Sequence, residues 1–115
     1  MGTTIEGQQL DALFTALSDR TRRDIVARLS TGEATVKELA EPYAMSMQAV
    51  SQHIRVLERS GLISQGRYRQ TRPCRLEPAA LEAALSWIEE SRRTWSDRMD
   101  RLETHLARLQ ERENQ

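Results

Sequence analysis

The sequence predicts a mainly α-helical chain with one small β-hairpin and a long C-terminal helix. Three observations predict it. Apolar residues recur at helical spacing through most of the 115 residues. One stretch, 62–76, departs from that period and holds turn and strand residues. From Pro78 onward, an apolar four-three alternation runs to Leu109 with no proline or glycine after its start. A chain of this length forms one domain. Its expected division is a core and hairpin over 8–77, followed by a helix over 78–110.

The first helix covers about 9–17, with Leu10, Leu13, Phe14 and Leu17 on one face. Ser18 or Asp19 suits the N-cap of a second helix, which turns Ile25, Val26 and Leu29 inward and stops near Gly32. Thr35 caps a third, with Glu38 at the capping-box position. Pro42 belongs near its end, because an interior proline breaks a helix. Ser46 caps the fourth and Gly61 ends it. The hairpin pairs about 62–67 with 72–77 around a tip at 68–71. Pro73, lacking an N–H, is expected at an edge or a bulge.

The fourth helix has two chemically opposite faces. Val50, Ile54 and Leu57 fall at i, i+4 and i+7, a buried stripe. At about 100° per residue, Gln48, Gln52, Arg55 and Arg59 occupy the other side. Glutamine and arginine make bidentate hydrogen bonds to adenine and guanine edges. A helix anchored by one face and displaying these residues on the other suits the DNA major groove. The bland alternative is a solvated face built of good helix formers.

The hairpin adds weight. It carries Arg67, Arg69, Arg72 and Arg75 and no acidic residue. Two helices followed by a basic hairpin describe a winged helix-turn-helix, with the wing arginines on phosphate or in the minor groove. The competing explanation is a hairpin kept soluble by arginine. The charge distribution favours the first. The chain has 17 basic and 17 acidic residues, yet 44–76 holds six basic and one acidic, flanked by acidic segments. Such a balance excludes a polycation that coats DNA at large.

"ALSDRTRRDIVARL" (16–29), "TVKELAEPYAMSMQAVSQHIRVLERSGLI" (35–63) and the basic hairpin together resemble ArsR-type winged-helix transcriptional regulators. The resemblance covers roughly residues 8–90, and "SMQAVSQHIRVLERSGLI" is its most specific part. It implies a dimeric repressor on double-stranded operator DNA. It places Gln48, Ala49, Ser51, Gln52 and Arg55 at base- and backbone-contacting positions, with Arg59 on the same face, and Arg67, Arg69 and Arg72 in the wing. The C-terminal helix matches the dimerising helix. His53 matches a position commonly histidine in the family, and its angle puts it toward the core.

The chain departs from the family pattern in two places. Arg20 stands where the family carries a proline. The stretch "VKELAEPY" lacks the paired cysteines of the metal-sensing members. Asp97 and Asp100 lie eight and five residues before His105, neither the i, i+4 spacing of a helical metal site. No metal or other cofactor is therefore expected. Nor is catalysis, since no nucleophile motif, phosphate loop or convergent acid–base cluster is present.

The apolar alternation at Leu81, Leu85, Ile88, Trp95, Met99, Leu102, Leu106 and Leu109 is broken only by Arg92. It makes a packing seam about 40 Å long. A second copy is its expected partner, giving a homodimer through the N- and C-terminal helices. The alternative function is a helical homodimeric interaction module that does not bind DNA. Cys74 is the only cysteine, so no internal disulfide forms. Arg72 and Arg75 beside it would favour a thiolate and make it a redox handle, but an incidental thiol is the expected reading. With no membrane-length apolar run and no signal-peptide core, the expectation is a cytoplasmic protein that does not engage membranes. A small-molecule effector is compatible with the resemblance, and the residues name none.

Stoichiometric zinc, cadmium or arsenite should leave DNA binding unchanged, because the cysteine pair is missing. Metal-induced release from DNA that a chelator or competing thiol reverses would overturn this expectation.

Overall fold

The computed structural model describes residues 7–114. Eight elements follow one another: α1 (Gly7–Ala16), α2 (Arg20–Leu29), β1 (Ala34–Thr35), α3 (Val36–Ala40), α4 (Met47–Arg59), β2 (Ile63–Gln65), β3 (Pro73–Leu76) and α5 (Pro78–Glu113). They divide into two compact units, one closing at Ala84 and one beginning at Leu85, and α5 contributes to both. The first unit extends past the expected boundary at 77, because Ala80 and Ala84 on the first turns of α5 are buried.

Within the first unit the helices start and stop where side chains satisfy their ends. Asp19 caps α2, its carboxylate accepting from the Arg22 backbone N–H at 3.0 Å. That bond holds the Asp19 carboxyl below its ordinary pKa. Thr35 and Glu38 form the full capping box of α3, with bonds of 2.9 and 3.1 Å. Ser46 caps α4 through the Ala49 N–H at 3.1 Å. At its far end the Gly61 N–H donates to Glu58 and the Leu62 N–H to Leu57. This pair of bonds is a Schellman motif. It requires the left-handed φ of +87° that Gly61 adopts.

The core is one apolar cluster. Leu13 of α1, Ile25 of α2, Leu39 of α3, Val50, Ile54 and Leu57 of α4, then Leu62 and Cys74, are all essentially fully buried. Phe14, Leu17 and Leu81 pack around it half-buried.

The sheet differs from the expected hairpin. It has three antiparallel strands in the order β1-β3-β2, with Ala34 opposite Cys74 and Ile63 opposite Leu76. Pro73 therefore lies in the middle strand, not at an edge. It is tolerated because it is that strand's first residue, where the missing N–H interrupts least. Its carbonyl still accepts from the Gly66 N–H at 2.8 Å. The tip at 68–71 is as expected, closed by reciprocal backbone bonds between Tyr68 and Thr71.

In the second unit, α5 remains helical to Glu113, past the end expected at 110; Gln115 lies outside the described residues. Among the described residues, no helix is long and apolar enough to cross a membrane.

A Cβ at Gly61 would meet no atom within 4 Å, so substitution there costs backbone conformation and nothing else. Gly61→Ala should lower stability by about 1 kcal/mol, measured by urea unfolding. An unchanged midpoint would mean that the left-handed turn does not hold the end of α4.

Candidate nucleic-acid interface

Burial of Val50, Ile54 and Leu57 fixes the rotation of α4, and that rotation decides what its other face displays. Gln48, Gln52, Arg55 and Arg59 are all exposed, as their spacing requires. Arg55 donates through Nε to the Gln52 amide oxygen at 3.2 Å, so the two present their donors together. Arg59 Nε reaches back to the Arg55 carbonyl at 3.4 Å. Ala49 and Ser51 are half-buried and lie at the margins of this face.

Arg67, Arg69 and Arg72 are exposed on the connection between β2 and β3. Arg69 sits at the tip with φ +57°, a left-handed conformation that a side chain with a Cβ adopts at a cost. Its guanidinium lies 5.5 Å from the centroid of the exposed Tyr68 ring. The fourth hairpin arginine is engaged elsewhere. Arg75 Nε lies 3.5 Å from Glu77, whose carboxylate also accepts from the Ser64 hydroxyl at 2.7 Å.

An open cleft of about 360 Å³ separates helix from wing. Arg55, Arg67 and Arg72 line it, together with Glu58, Gln65 and Gly66. Sequence reasoning passed over Glu58 and Gln65. Glu58 follows Arg55 by three residues, so helical spacing alone places it beside the displayed face. Gln65 Nε2 approaches the Glu58 carboxylate at 3.5 Å, which ties the last residue of β2 to α4. Three guanidinium groups and one carboxylate leave the cleft net positive, suited to a phosphate or to the edge of a base pair.

His53 is only partly exposed and faces α2. Its Nδ1 lies 3.1 Å from Arg22 Nη1, which can only donate, and 3.8 Å from the Asp19 carboxylate. Arg22 also donates to the Ala16 and Thr15 carbonyls at 2.7 and 3.1 Å. This cluster orients α4 from behind, and nothing in the sequence pattern reveals it.

Cys74 has the setting of an incidental thiol, not of a redox handle. The thiol is fully buried, and burial pushes its pKa up to about 11. Glu58 raises it further. Arg72 and Arg75 point their charge to solvent and supply no thiolate stabilisation.

A helix-turn-helix domain model matches residues 17–65. The transcriptional regulator Rv2034 of Mycobacterium tuberculosis is 41% identical over 73 residues, 64% of this chain and 68% of that protein. The transcriptional repressor SdpR of Bacillus subtilis is 30% identical over 79 residues, 69% of this chain and 88% of that protein. A crystal structure of an ArsR family transcriptional regulator superposes with a TM-score of 0.76 at 38% identity, covering 81% of this chain and 96% of the other.

The left-handed tip gives a test that separates strain from contact. Arg69→Asn should raise stability by roughly 0.5–1 kcal/mol, since asparagine tolerates this conformation, while Arg69→Ala should not. Equal unfolding midpoints for the two variants would show that the tip stores no strain.

Proposed function

The chain belongs to the ArsR-type winged helix-turn-helix transcriptional regulators, and on that premise we propose that it is a homodimeric repressor of a near-palindromic operator. Its membership makes it a DNA-binding regulator and not an enzyme. It also sets aside the alternative of a helical module without DNA binding.

The single observation that carries the proposal is the outward face of α4 beside the arginine-lined wing. Gln48, Gln52, Arg55 and Arg59 take the major groove, with Gln52 and Arg55 reading base edges. Ala49 and Ser51, at the margin, approach the sugar–phosphate backbone. Arg67, Arg69 and Arg72 hold phosphate. Arg69 is exposed at the tip, its guanidinium 5.5 Å from the Tyr68 ring centroid, so its charge is available to DNA.

Dimerisation through α1 and α5 brings two such faces to one duplex. The half-sites then lie about one helical turn, roughly 34 Å, apart. The support is the exposure of the α5 seam, where Leu85, Trp95 and Leu106 are 55%, 63% and 52% exposed. So much apolar surface along one helix stripe marks an interaction site. Repression follows from occupying an operator, and a small-molecule effector would act by changing that occupancy. The site of action is the cytoplasm, where the DNA is.

The experiment is affinity on the operator and on its single-base variants at several salt concentrations. Gln52→Ala and Arg55→Ala should each cost roughly 1–3 kcal/mol and relax preference at particular base pairs. Arg69→Ala should weaken all sequences alike and lower the salt slope by about one unit. If Arg55→Ala keeps full discrimination while Arg69→Ala loses it, helix and wing have the opposite roles.

A further inference from the structure

On the side of α4 that faces α2, one histidine meets a cation and an anion at once. His53 Nδ1 lies 3.1 Å from Arg22 Nη1 and 3.8 Å from the Asp19 carboxylate. The two contacts demand different protonation states. Arg22 can only donate, so its bond to Nδ1 forms only while that nitrogen keeps its lone pair. The ring is then neutral, with its proton on Nε2. An ionised Asp19 can only accept, so a bond to it needs a proton on Nδ1. One nitrogen cannot serve both.

Both partners are held in place. Arg22 is committed through Nε to the Ala16 carbonyl at 2.7 Å and through Nη2 to the Thr15 carbonyl at 3.1 Å, at the end of α1. Asp19 caps α2 and is tied to the Arg22 N–H at 3.0 Å. That bond holds its carboxyl below the ordinary carboxylate range, so it stays an anion while histidines titrate. No other ion faces the ring. Its neighbours one turn away on α4 are Ala49, Val50, Val56 and Leu57, none charged. Among the described residues, α1, α3 and β2 also pack on α4 and place no carboxylate within 4.0 Å of it. The His53 side chain is 22% exposed, so a proton from solvent can reach it.

We infer that His53 is a proton-controlled positioning residue for the base-reading helix. Neutral His53 accepts from Arg22 and clasps α1, α2 and α4 together in the DNA-binding arrangement. Protonated His53 gives up Arg22 for Asp19 and unseats α4. The inference rests on the DNA-binding face proposed above and adds its regulation. Protonation sets a donor and a second positive charge against Arg22 at 3.1 Å. To bond Asp19, Nδ1 must close 3.8 Å to the roughly 2.8 Å of a charge-assisted bond. Gln52 and Arg55 stand one and two residues from His53 on the same helix. A displacement of about 1 Å exceeds the roughly 0.5 Å within which a binding constellation must be held. DNA thus selects the unprotonated ring. Affinity is complete above the range in which histidine titrates, and falls as the pH drops through it.

The test uses the full chain and a duplex that the wild-type protein selects from a random-sequence pool at about pH 8. Affinity is measured from about pH 8 to about pH 5 at constant ionic strength. The wild type should lose about three- to tenfold on acidification, the factor that one net hydrogen bond is worth. His53→Asn offers an acceptor oxygen in place of Nδ1 that does not protonate, so this loss should vanish. Asp19→Asn keeps a good N-cap and removes the charge that favours the protonated ring, so the loss should move to lower pH. His105, the other histidine, is present in all three chains, and its contribution is common to them. Superposable profiles for the wild type and His53→Asn would overturn the inference, as would a shift to higher pH in Asp19→Asn. A wild-type chain that selects no duplex removes the DNA-binding reading itself. The free protein then decides the inference by nuclear magnetic resonance. Amide signals of Gln52 and Arg55 that shift together with the His53 ring on acidification support it, and signals indifferent to the ring overturn it.

Discussion

What the first unit displays on its candidate interface depends on one stripe of α4. Val50, Ile54 and Leu57 are buried against Leu13, Ile25 and Leu39 in a single cluster. Burying each such side chain is worth roughly 1.5–3 kcal/mol, so the stripe contributes several kcal/mol to holding one rotation of the helix. A turn of 100° would expose that apolar surface and bury arginine without a counter-charge. The displayed face is thus set from the inside, by residues that never meet DNA.

Arginine does two kinds of work here. Sixteen of the 17 basic residues are arginine, and several are structural. Arg22 and Arg23 of α2 satisfy the Thr15, Ala16 and Leu17 carbonyls at the end of α1. Arg28 does the same for Leu39 and Glu38 at the end of α3, and its guanidinium lies over the Tyr43 ring. Helix ends leave carbonyls without intrahelical partners, and the guanidinium fork satisfies two or more at once. The arginines of α4 and the wing stay exposed, even Arg59, which reaches the Arg55 carbonyl at 3.4 Å. Local composition around 44–76 therefore carried information that the total count did not.

The helices were legible in the sequence because a 3.6-residue apolar period and its caps are local. Asp19, Thr35, Ser46 and Gly61 all occupy the positions that their chemistry suggests. The sheet was half legible. β1 is two residues long and pairs with a strand about forty residues later, so no local pattern announces it. That missing strand is what moved Pro73 from an edge to the middle and sealed Cys74 in the core. In the candidate interface, Gln48, Gln52, Arg55 and Arg59 followed from helical angle. Glu58 lies at the margin of that face, three residues after Arg55, while Gln65 and the Arg22–His53 contact depend on tertiary approach.

Between α4 and β2 there are only three residues, Ser60, Gly61 and Leu62. They are closed by the Schellman bonds, the buried Ser60 hydroxyl on the Leu57 carbonyl, and the Glu77 N–H on Leu62 at 2.8 Å. So short and fully bonded a joint has no slack. Helix and wing are mechanically a single lever, and a rotation imposed on one is delivered to the other. A force that tilts the first residues of the wing therefore also turns the outward face of α4, and the two surfaces move as one rigid tool.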